Sequence, residues 1–201
     1  MLKQVRPAVV SLLALTMITG LAYPLAVTGI ATVLFPYQAQ GSLVERGGQV
    51  VGSVLIGQEF KEDRYFHGRP SATVAPDPAD ASKTISAPYN AANSGGSNLG
   101  PTSKALADRL SEDVAKLKAE NPAAAIPVDL VTTSGSGLDP DVSPEGALFQ
   151  VPRVAKARGV PEEQLRKLVT ASVQQPLGGV LGEPRVNVLK LNLALDAAVP
   201  R

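Results

Sequence analysis

His67 is the only histidine in the chain, and any acid–base or nucleophilic chemistry that uses an imidazole must use it. A Ser–His–Asp triad could pair it with Ser134 or Ser136, which would make the chain a hydrolase. The Gly-x-Ser-x-Gly pattern of the usual nucleophile turn is absent, however, because residues 134–137 read Ser-Gly-Ser-Gly. The sequence therefore favours a structural or surface role for His67 over catalysis.

The turn at residues 134–139 offers a second chemistry, the binding of an anion by successive backbone N–H groups. Its small residues are Ser134, Gly135, Ser136 and Gly137, and Asp139 closes it. The alternative is that this segment is only a glycine-rich turn before a helix that begins with proline. We favour this structural interpretation over anion binding. The carboxylates of Asp139, Asp141 and Glu145 lie close in sequence, but the spacing of a calcium loop is absent.

A third segment, residues 93–98, reads Asn-Ser-Gly-Gly-Ser-Asn. Its Ser94-Gly95-Gly96 core is similar to the signature loop of ABC ATPases, although five residues of low complexity carry little specificity. A Walker A sequence is absent, so the chain has no self-sufficient nucleotide site.

Composition narrows the classes of function further. The 201 residues include no cysteine, which excludes disulfides, thiolate catalysis and cysteine-based zinc sites. The net charge is +1 and aromatic residues make up 4%, so the chain lacks the basic surface and the stacking side chains typical of nucleic-acid binding.

The elements that position these residues begin with an apolar stretch, residues 8–35, between Arg6 and Glu45. About 20 apolar residues cross a bilayer core, whereas a cleaved signal has an apolar region of only about 7–15 residues, so we predict an uncleaved membrane helix. Lys3 and Arg6 precede the helix, and the positive-inside rule places them in the cytoplasm. The predicted organisation is a cytoplasmic N-terminus at 1–7, a transmembrane helix at 8–35 and an extracytoplasmic soluble domain at 36–201.

Three residues within this helix suggest how it packs. Thr16 and Gly20 are small residues four apart, a spacing that allows close contact with another membrane helix. Pro24 is expected to kink the helix. Small residues are nevertheless common in any membrane helix.

The remainder predicts a single mixed α+β domain. Extended structure is expected at 42–57, an ordered polar loop at 61–100, a helix that is capped by Thr102 or Ser103 and stops at Asn121-Pro122, and a strand at 128–133. Two further helices should start at Ser143-Pro144-Glu145 and at Pro161, the first of them ending before Gly159. Alternating leucines predict a closing strand at 182–196, with either a bulge or burial on both faces near Val186 and Val188.

Five sequence blocks are distinctive when taken together, behind one N-terminal apolar segment. They are residues 65–72, 89–101, 131–140, 153–155 and 182–188. In this order they closely resemble the KdpC family, the C subunits of bacterial Kdp high-affinity potassium-transporting ATPases, over essentially the whole chain. The candidate partner-contact or motif residues within these blocks are His67, Arg69, Asn90, Ser94, Gly95, Gly96, Ser97, Asn98, Ser134, Gly135, Ser136, Gly137, Asp139, Arg153 and Arg185.

The resemblance implies a bacterial inner-membrane complex with a channel-like potassium-translocating subunit (KdpA), a P-type ATPase subunit (KdpB) and a small membrane subunit (KdpF). It implies an accessory role without a catalytic residue: assembly, stabilisation and an increase in the ATP affinity of the hydrolysing subunit. No cofactor is expected on this chain alone, and ATP would reach it only through the complex. The charge pattern places Ser94-Gly95-Gly96 outside the cell, whereas ATP is hydrolysed inside, so we expect no direct ATP contact by that loop.

Overall fold

A computed structural model describes residues 2–199 of the chain, which form two compact units, the first ending at Val51 and the second beginning at Gly52. The helices are α1 Val5–Leu15, α2 Tyr23–Leu34, α3 Pro36–Ala39, α4 Lys104–Glu120, α5 Pro144–Phe149, α6 Val151–Arg158, α7 Glu162–Ser172 and α8 Val188–Ala198. The strands are β1 Leu43–Arg46, β2 Gln49–Ser53, β3 Val74–Pro76, β4 Thr84–Ser86, β5 Asp141–Val142, β6 Val173–Gln174 and β7 Arg185–Asn187. The predicted α+β class is confirmed.

The first unit is dominated by a continuous helix, Val5–Leu34, of 30 residues with a mean hydropathy of 1.9. At 1.5 Å per residue it is about 45 Å long, which is sufficient to cross a hydrocarbon core of about 30 Å. It begins before the predicted Ala8, because Pro7 is tolerated in a first helical turn, where its missing N–H needs no partner.

A π-helical stretch, Thr16–Ala22, joins α1 to α2 directly before Pro24. Proline cannot donate to the carbonyl of Gly20, and the N–H of Tyr23 bonds the carbonyl of Ile18 instead. The sequence predicted a kink here, and the structure shows where the hydrogen-bond pattern changes. Thr16 and Gly20 are both exposed, and their role in helix packing stays a prediction.

The expected extended segment at 42–57 contains an antiparallel hairpin of β1 and β2. Gly47 and Gly48 form its two-residue turn with φ of 61° and 78°, which is left-handed backbone that glycine adopts without strain.

The second unit is built around a core of α5 to α8 and a small antiparallel sheet in the order β5-β7-β6. Val186 of β7 pairs with Val142 on one side and with Val173 on the other. The fully buried core side chains are Phe66, Ala147, Val151, Val154, Leu165, Val169, Val186, Leu191 and Leu195. Burying this apolar surface is the main driving force for folding of the unit.

The predicted helix start at Ser143 and the predicted end at Gly159 are confirmed, but the segment between them is divided at Gln150 into the two helices α5 and α6. The Ser143 hydroxyl accepts the N–H of Gly146 at 2.8 Å at the start of α5, and Gly159 ends α6 with left-handed backbone at φ 66°. α4 also lies where predicted, before Asn121, but its apolar stripe is only half-buried.

The closing strand predicted at 182–196 is wrong beyond Asn187. Asn187 caps α8 by accepting the N–H of Lys190 at 3.1 Å, and Leu191 and Leu195 are buried one turn apart on the same helix face. The alternating leucines fit both the strand period of two residues and the helical period of about 3.6 residues. The Asn187 cap and the good helix propensity of leucine and alanine favour the helix. Of the two alternatives near Val186, burial on both faces is confirmed, since the consecutive residues Val186 and Asn187 are both buried; Val186 pairs in regular register on both sides, without a bulge in the described strand.

The strand predicted at 128–133 is wrong as well, since Val128–Leu130 is a turn of 3₁₀-helix after Pro127. The Thr132 hydroxyl donates back to the Val128 carbonyl at 2.8 Å, which stabilises the turn. The polar segment at 61–100 contains the hairpin of β3 and β4, where Val74 pairs with Ser86.

Candidate functional site

Most of the motif residues meet in one region of the second unit, which we call the loop junction and define as residues 66–73, 87–97 and 132–139. The junction contains little regular secondary structure, so side chains must satisfy its backbone polar groups.

Two buried amide side chains fix the backbone at Phe66 and His67. Asn192 of α8 accepts the N–H of Phe66 and donates to its carbonyl, both at 2.9 Å. Gln150 accepts the N–H of His67 at 2.7 Å and donates to its carbonyl at 3.1 Å. Each amide therefore makes the pair of bonds that a neighbouring strand would make, and only 2% of either residue is exposed.

The His67 imidazole is held by Nε2, which lies 3.1 Å from the Glu62 carbonyl oxygen. A carbonyl only accepts, so Nε2 is the protonated nitrogen of the neutral imidazole. Burial lowers the pKa of His67, and the nearby positive charge of Arg153 lowers it further.

A serine–histidine pair is absent from the part of the chain that the structure describes. The Ser134 hydroxyl lies 3.5 Å from that of Ser136, and the Ser136 hydroxyl accepts the N–H of Leu138 at 3.1 Å. The hydrogen bonds of His67 lead instead to Glu62 and Gln150. The hydrolase alternative consequently gains no geometric support.

Arg153 joins α6 to the segment before His67. Its Nε donates to Glu120 at 2.9 Å, Nη1 donates to the carbonyls of Asp63 and Tyr65, and Nη2 donates to Gln150 at 2.8 Å. All three guanidinium nitrogens are used, which is typical of a structural arginine.

Arg69 holds the turn at 132–139. Its Nη1 lies 2.9 Å from an Asp139 carboxylate oxygen, and its Nη2 donates to Thr132 at 3.4 Å. The sequence singled out Arg69 and Asp139 separately, and the structure places them in one half-buried ion pair.

Tyr89 covers the backbone of this region, although the sequence did not select it as a site residue. Its hydroxyl donates to the Arg69 carbonyl at 2.7 Å, and a Cβ on either Gly57 or Gly68 would collide with its ring or hydroxyl. Burial, followed by the negative charge of Asp139, raises the pKa of Tyr89 to about 12, so it stays a neutral donor.

Two hydroxyls that sequence reasoning missed connect the three segments of the junction. Ser71 donates to the Gly137 carbonyl at 2.7 Å and accepts the N–H of Tyr89 at 3.0 Å. Thr73 donates to the Ala87 carbonyl at 2.6 Å and accepts the N–H of Asn90 at 3.1 Å. Serine and threonine are common in loops, so their identity alone gave no signal of this role.

The two glycine-rich segments pack directly against each other. Gly95 N donates to the Ser136 carbonyl at 2.8 Å, and the Ser94 hydroxyl donates to the same oxygen at 3.0 Å. A Cβ on Gly137 would lie 2.7 Å from the Gly95 carbonyl oxygen, and one on Gly96 would lie 3.1 Å from that of Gly135. The glycines thus permit a backbone approach that other residues would obstruct.

Neighbouring motif residues extend this contact. Ser97 lies 3.5 Å from the Thr133 hydroxyl, and the Asn90 amide donates to the Val74 carbonyl at 2.8 Å. Asn98 has left-handed backbone at φ 52° and is exposed at the end of the loop. These polar groups bond mainly to other parts of the same chain.

Arg185 lies beside the junction, on the rim of a cleft of about 340 Å³ that Arg69 and Asp139 also line. Its Nε is 3.0 Å from a carboxylate oxygen of Asp141, whose other oxygen accepts from the Asn187 amide at 3.0 Å. Burial raises the pKa of Asp141. Arginines balance these acids, and among residues 2–199 no group of three or more histidine, aspartate and glutamate side chains is placed to hold a metal ion.

A buried ion pair missed by sequence reasoning ties α6 to α8. Arg158 lies 2.7 Å from Asp196, with side-chain exposures of 3% and 4%, and its guanidinium stacks 4.9 Å from the centre of the Tyr65 ring. The two charges are 38 positions apart in sequence, so no local pattern pairs them.

Comparisons with known proteins agree over the whole chain. The sequence model of the family described as "KdpC: K+-transporting ATPase, c chain" matches residues 5–197. A protein of Rhodopseudomonas palustris strain CGA009 is 93% identical over 201 residues, covering all of both chains. Relatives from Bradyrhizobium diazoefficiens, 75% identical over 100% of both chains, and Methylobacterium nodulans, 72% identical over 98% of both, bear the same name, "Potassium-transporting ATPase KdpC subunit".

Proposed function

The chain belongs to the KdpC family of potassium-transporting ATPase c chains, and from that premise we propose that it is a non-catalytic accessory subunit that assembles and stabilises the Kdp complex. The observation that supports a non-catalytic role is that the motif side chains form hydrogen bonds within the chain. Arg69, Ser94 and Arg153 bond to other parts of the same chain and so build a surface, and they do not converge on a reacting position.

The partners in this proposal are the channel-like subunit KdpA, the P-type ATPase subunit KdpB and the small subunit KdpF. The exposed helix Val5–Leu34 supports a site within the bilayer, where Thr16 and Gly20 permit close contact with a neighbouring membrane helix.

We place the chain in the inner membrane with its N-terminus in the cytoplasm and its soluble domain outside, because Lys3 and Arg6 precede the apolar stretch at 8–35. The absence of cysteine provides a direct test. A single Lys116→Cys on the exposed face of α4 should react with a membrane-impermeant maleimide in intact spheroplasts, and Lys3→Cys should react only after lysis. The reverse pattern would overturn this orientation.

An effect on the ATP affinity of KdpB would be conformational under this topology, a coupling free energy between distant sites. The Ser94-Gly95-Gly96 loop already contacts the turn at Ser136, which supports a structural role for the loop. Ser94→Ala and Asn98→Ala complexes that remain assembled should bind nucleotide with wild-type affinity. Crosslinking of a photoreactive ATP analogue to this loop in sealed, oriented vesicles would contradict the proposal.

Co-purification tests the function as a whole. The tagged chain, expressed in its host under potassium limitation and gently solubilised, should retain a P-type ATPase and a channel-like subunit in roughly equal amounts. Recovery of a folded chain without either partner would refute the subunit role.

A further inference from the structure

The turn between β6 and β7 displays three large apolar side chains to solvent. Leu177, Val180 and Leu181 are 78%, 82% and 68% exposed, and we call residues 177–181 the apolar turn. Single exposed apolar residues such as Val128, at 71%, are ordinary on protein surfaces. Three within one turn form a cluster of the kind that marks an interaction site.

The apolar turn has a defined shape. Leu177 N donates to the Leu181 carbonyl at 3.0 Å, and Leu181 N donates back to the Leu177 carbonyl at 3.1 Å. Gly178 and Gly179 supply left-handed backbone at φ 62° and 75°. The side chains are therefore presented on a closed turn, which lowers the entropy lost on binding.

The charge pattern indicates what the turn meets. No charged residue occurs from Leu168 to Gly182, and the first one after the turn is Glu183. A surface that binds anionic lipid carries lysine or arginine, and a membrane-interface anchor carries tryptophan or tyrosine, none of which is present in this segment. An uncharged apolar pocket on a protein complements this composition, because a turn that binds in such a pocket needs neither a basic side chain nor an aromatic anchor.

We propose that the apolar turn inserts into an uncharged, apolar pocket on the extracytoplasmic face of a membrane-embedded partner subunit of the transport complex. The inference rests on the proposed function, since the anchored chain must have such a partner. It adds the element that makes the contact.

The absence of cysteine allows one label at the centre of the turn. Full-length Val180→Cys carrying an environment-sensitive bimane would be compared in membranes that hold the assembled complex and in brominated-lipid vesicles that hold this chain alone. We expect blue-shifted, iodide-protected emission in the complex and water-exposed emission in the vesicles. Quenching by brominated lipid in the vesicles would identify lipid as the occupant, and exposure in both settings would show no docking; either result overturns the inference.

A second measurement needs no label. Leu177→Asn combined with Val180→Thr should reduce retention of the partner subunits by about tenfold or more after a detergent wash, as loss of a buried apolar contact predicts. Val128→Thr, which alters an exposed valine away from the turn, should retain them as the wild type does. Equal retention by both variants would refute the docking role, whereas failure of the wild-type chain to retain any partner would refute the proposed function itself.

Discussion

In the helical core of α5 to α8, the buried side chains are mostly apolar, whereas in the loop junction the stabilising contacts run from hydroxyl, amide and guanidinium groups to backbone carbonyls and N–H groups. The core gains stability from buried apolar area and tolerates apolar substitutions best when they conserve its volume. The junction depends on individual hydrogen-bond partners, because an unsatisfied buried polar group costs free energy. The region that carries most of the family motifs thus depends on the chemical identity of single polar residues, whereas the core depends on apolar volume.

The ion pair of Arg158 and Asp196 is a polar exception inside the core, and its loss should have the largest effect. Asp196→Ala leaves a buried guanidinium without its counter-charge, which should reduce the free energy of unfolding by about 3–5 kcal/mol. Urea denaturation of the full chain in nanodiscs, followed by circular dichroism, would measure it. Asp108→Ala removes the exposed partner of Lys104 and should cost at most about 1 kcal/mol; equal losses would show that burial is not the cause.

Truncation of a core leucine tests the apolar half of the comparison. Leu191 is 0% exposed, and Leu191→Ala should lower the free energy of unfolding by about 2–5 kcal/mol through lost burial and a cavity. Leu177→Ala, made where the side chain is 78% exposed, should change it by less than about 0.5 kcal/mol. A similar loss in both variants would mean that the apolar turn is part of the core.

Two glycine substitutions distinguish the cost of a steric clash in the junction from the cost of left-handed backbone. Gly137 and Gly178 have similar φ values of 67° and 62°, but only Gly137 has atoms within 4 Å of an added Cβ. Gly137→Ala should therefore destabilise the chain by about 1–3 kcal/mol more than Gly178→Ala in the same denaturation experiment. Matching losses would contradict the close packing against Gly95.

Removal of one hydroxyl tests the polar half. Thr73→Val keeps the side-chain shape but leaves the Asn90 N–H and the Ala87 carbonyl without their partner, which should cost about 1–3 kcal/mol. Hydrogen exchange at Asn90 should accelerate in this variant. Thr84→Val, at an exposed strand position, serves as the control, and a loss there as large as at Thr73 would show that the hydroxyl network is not the source of stability.

Titration of His67 should give the smallest effect. Its pKa is lowered in the folded chain from 6.5, so the unfolded chain binds a proton first as the pH falls. Its contribution to stability is present above pH 6.5 and is lost as the pH decreases towards the folded pKa. Denaturation at a series of pH values should show this slope in the wild type and not in His67→Gln; an unchanged slope would assign it to other groups.

The predicted fold is correct where a residue acts within its own turn and wrong where packing between elements decides the structure. Ser143 and Gly159 act within their own turns, and the helix start and helix end that they mark were predicted correctly. The segment at 188–198 has leucines that fit both the helical and the strand period, so its pattern was ambiguous. Packing of Leu191 and Leu195 against α7 and the sheet favoured the helix.

The apolar N-terminal helix, the α+β class, the helix start at Ser143, the helix end at Gly159 and the family all followed from the sequence, because each depends on residues near one another or on the order of whole motifs. The pairing of Asn192 with Phe66, the pairing of Arg158 with Asp196 and the contact between the two glycine-rich segments became known from the folded structure alone. Asn192 and Phe66 are 126 positions apart, and their contact forms only when the core brings α8 beside the loop. Composition and spacing record the local preferences of a chain, whereas these contacts depend on how the elements pack.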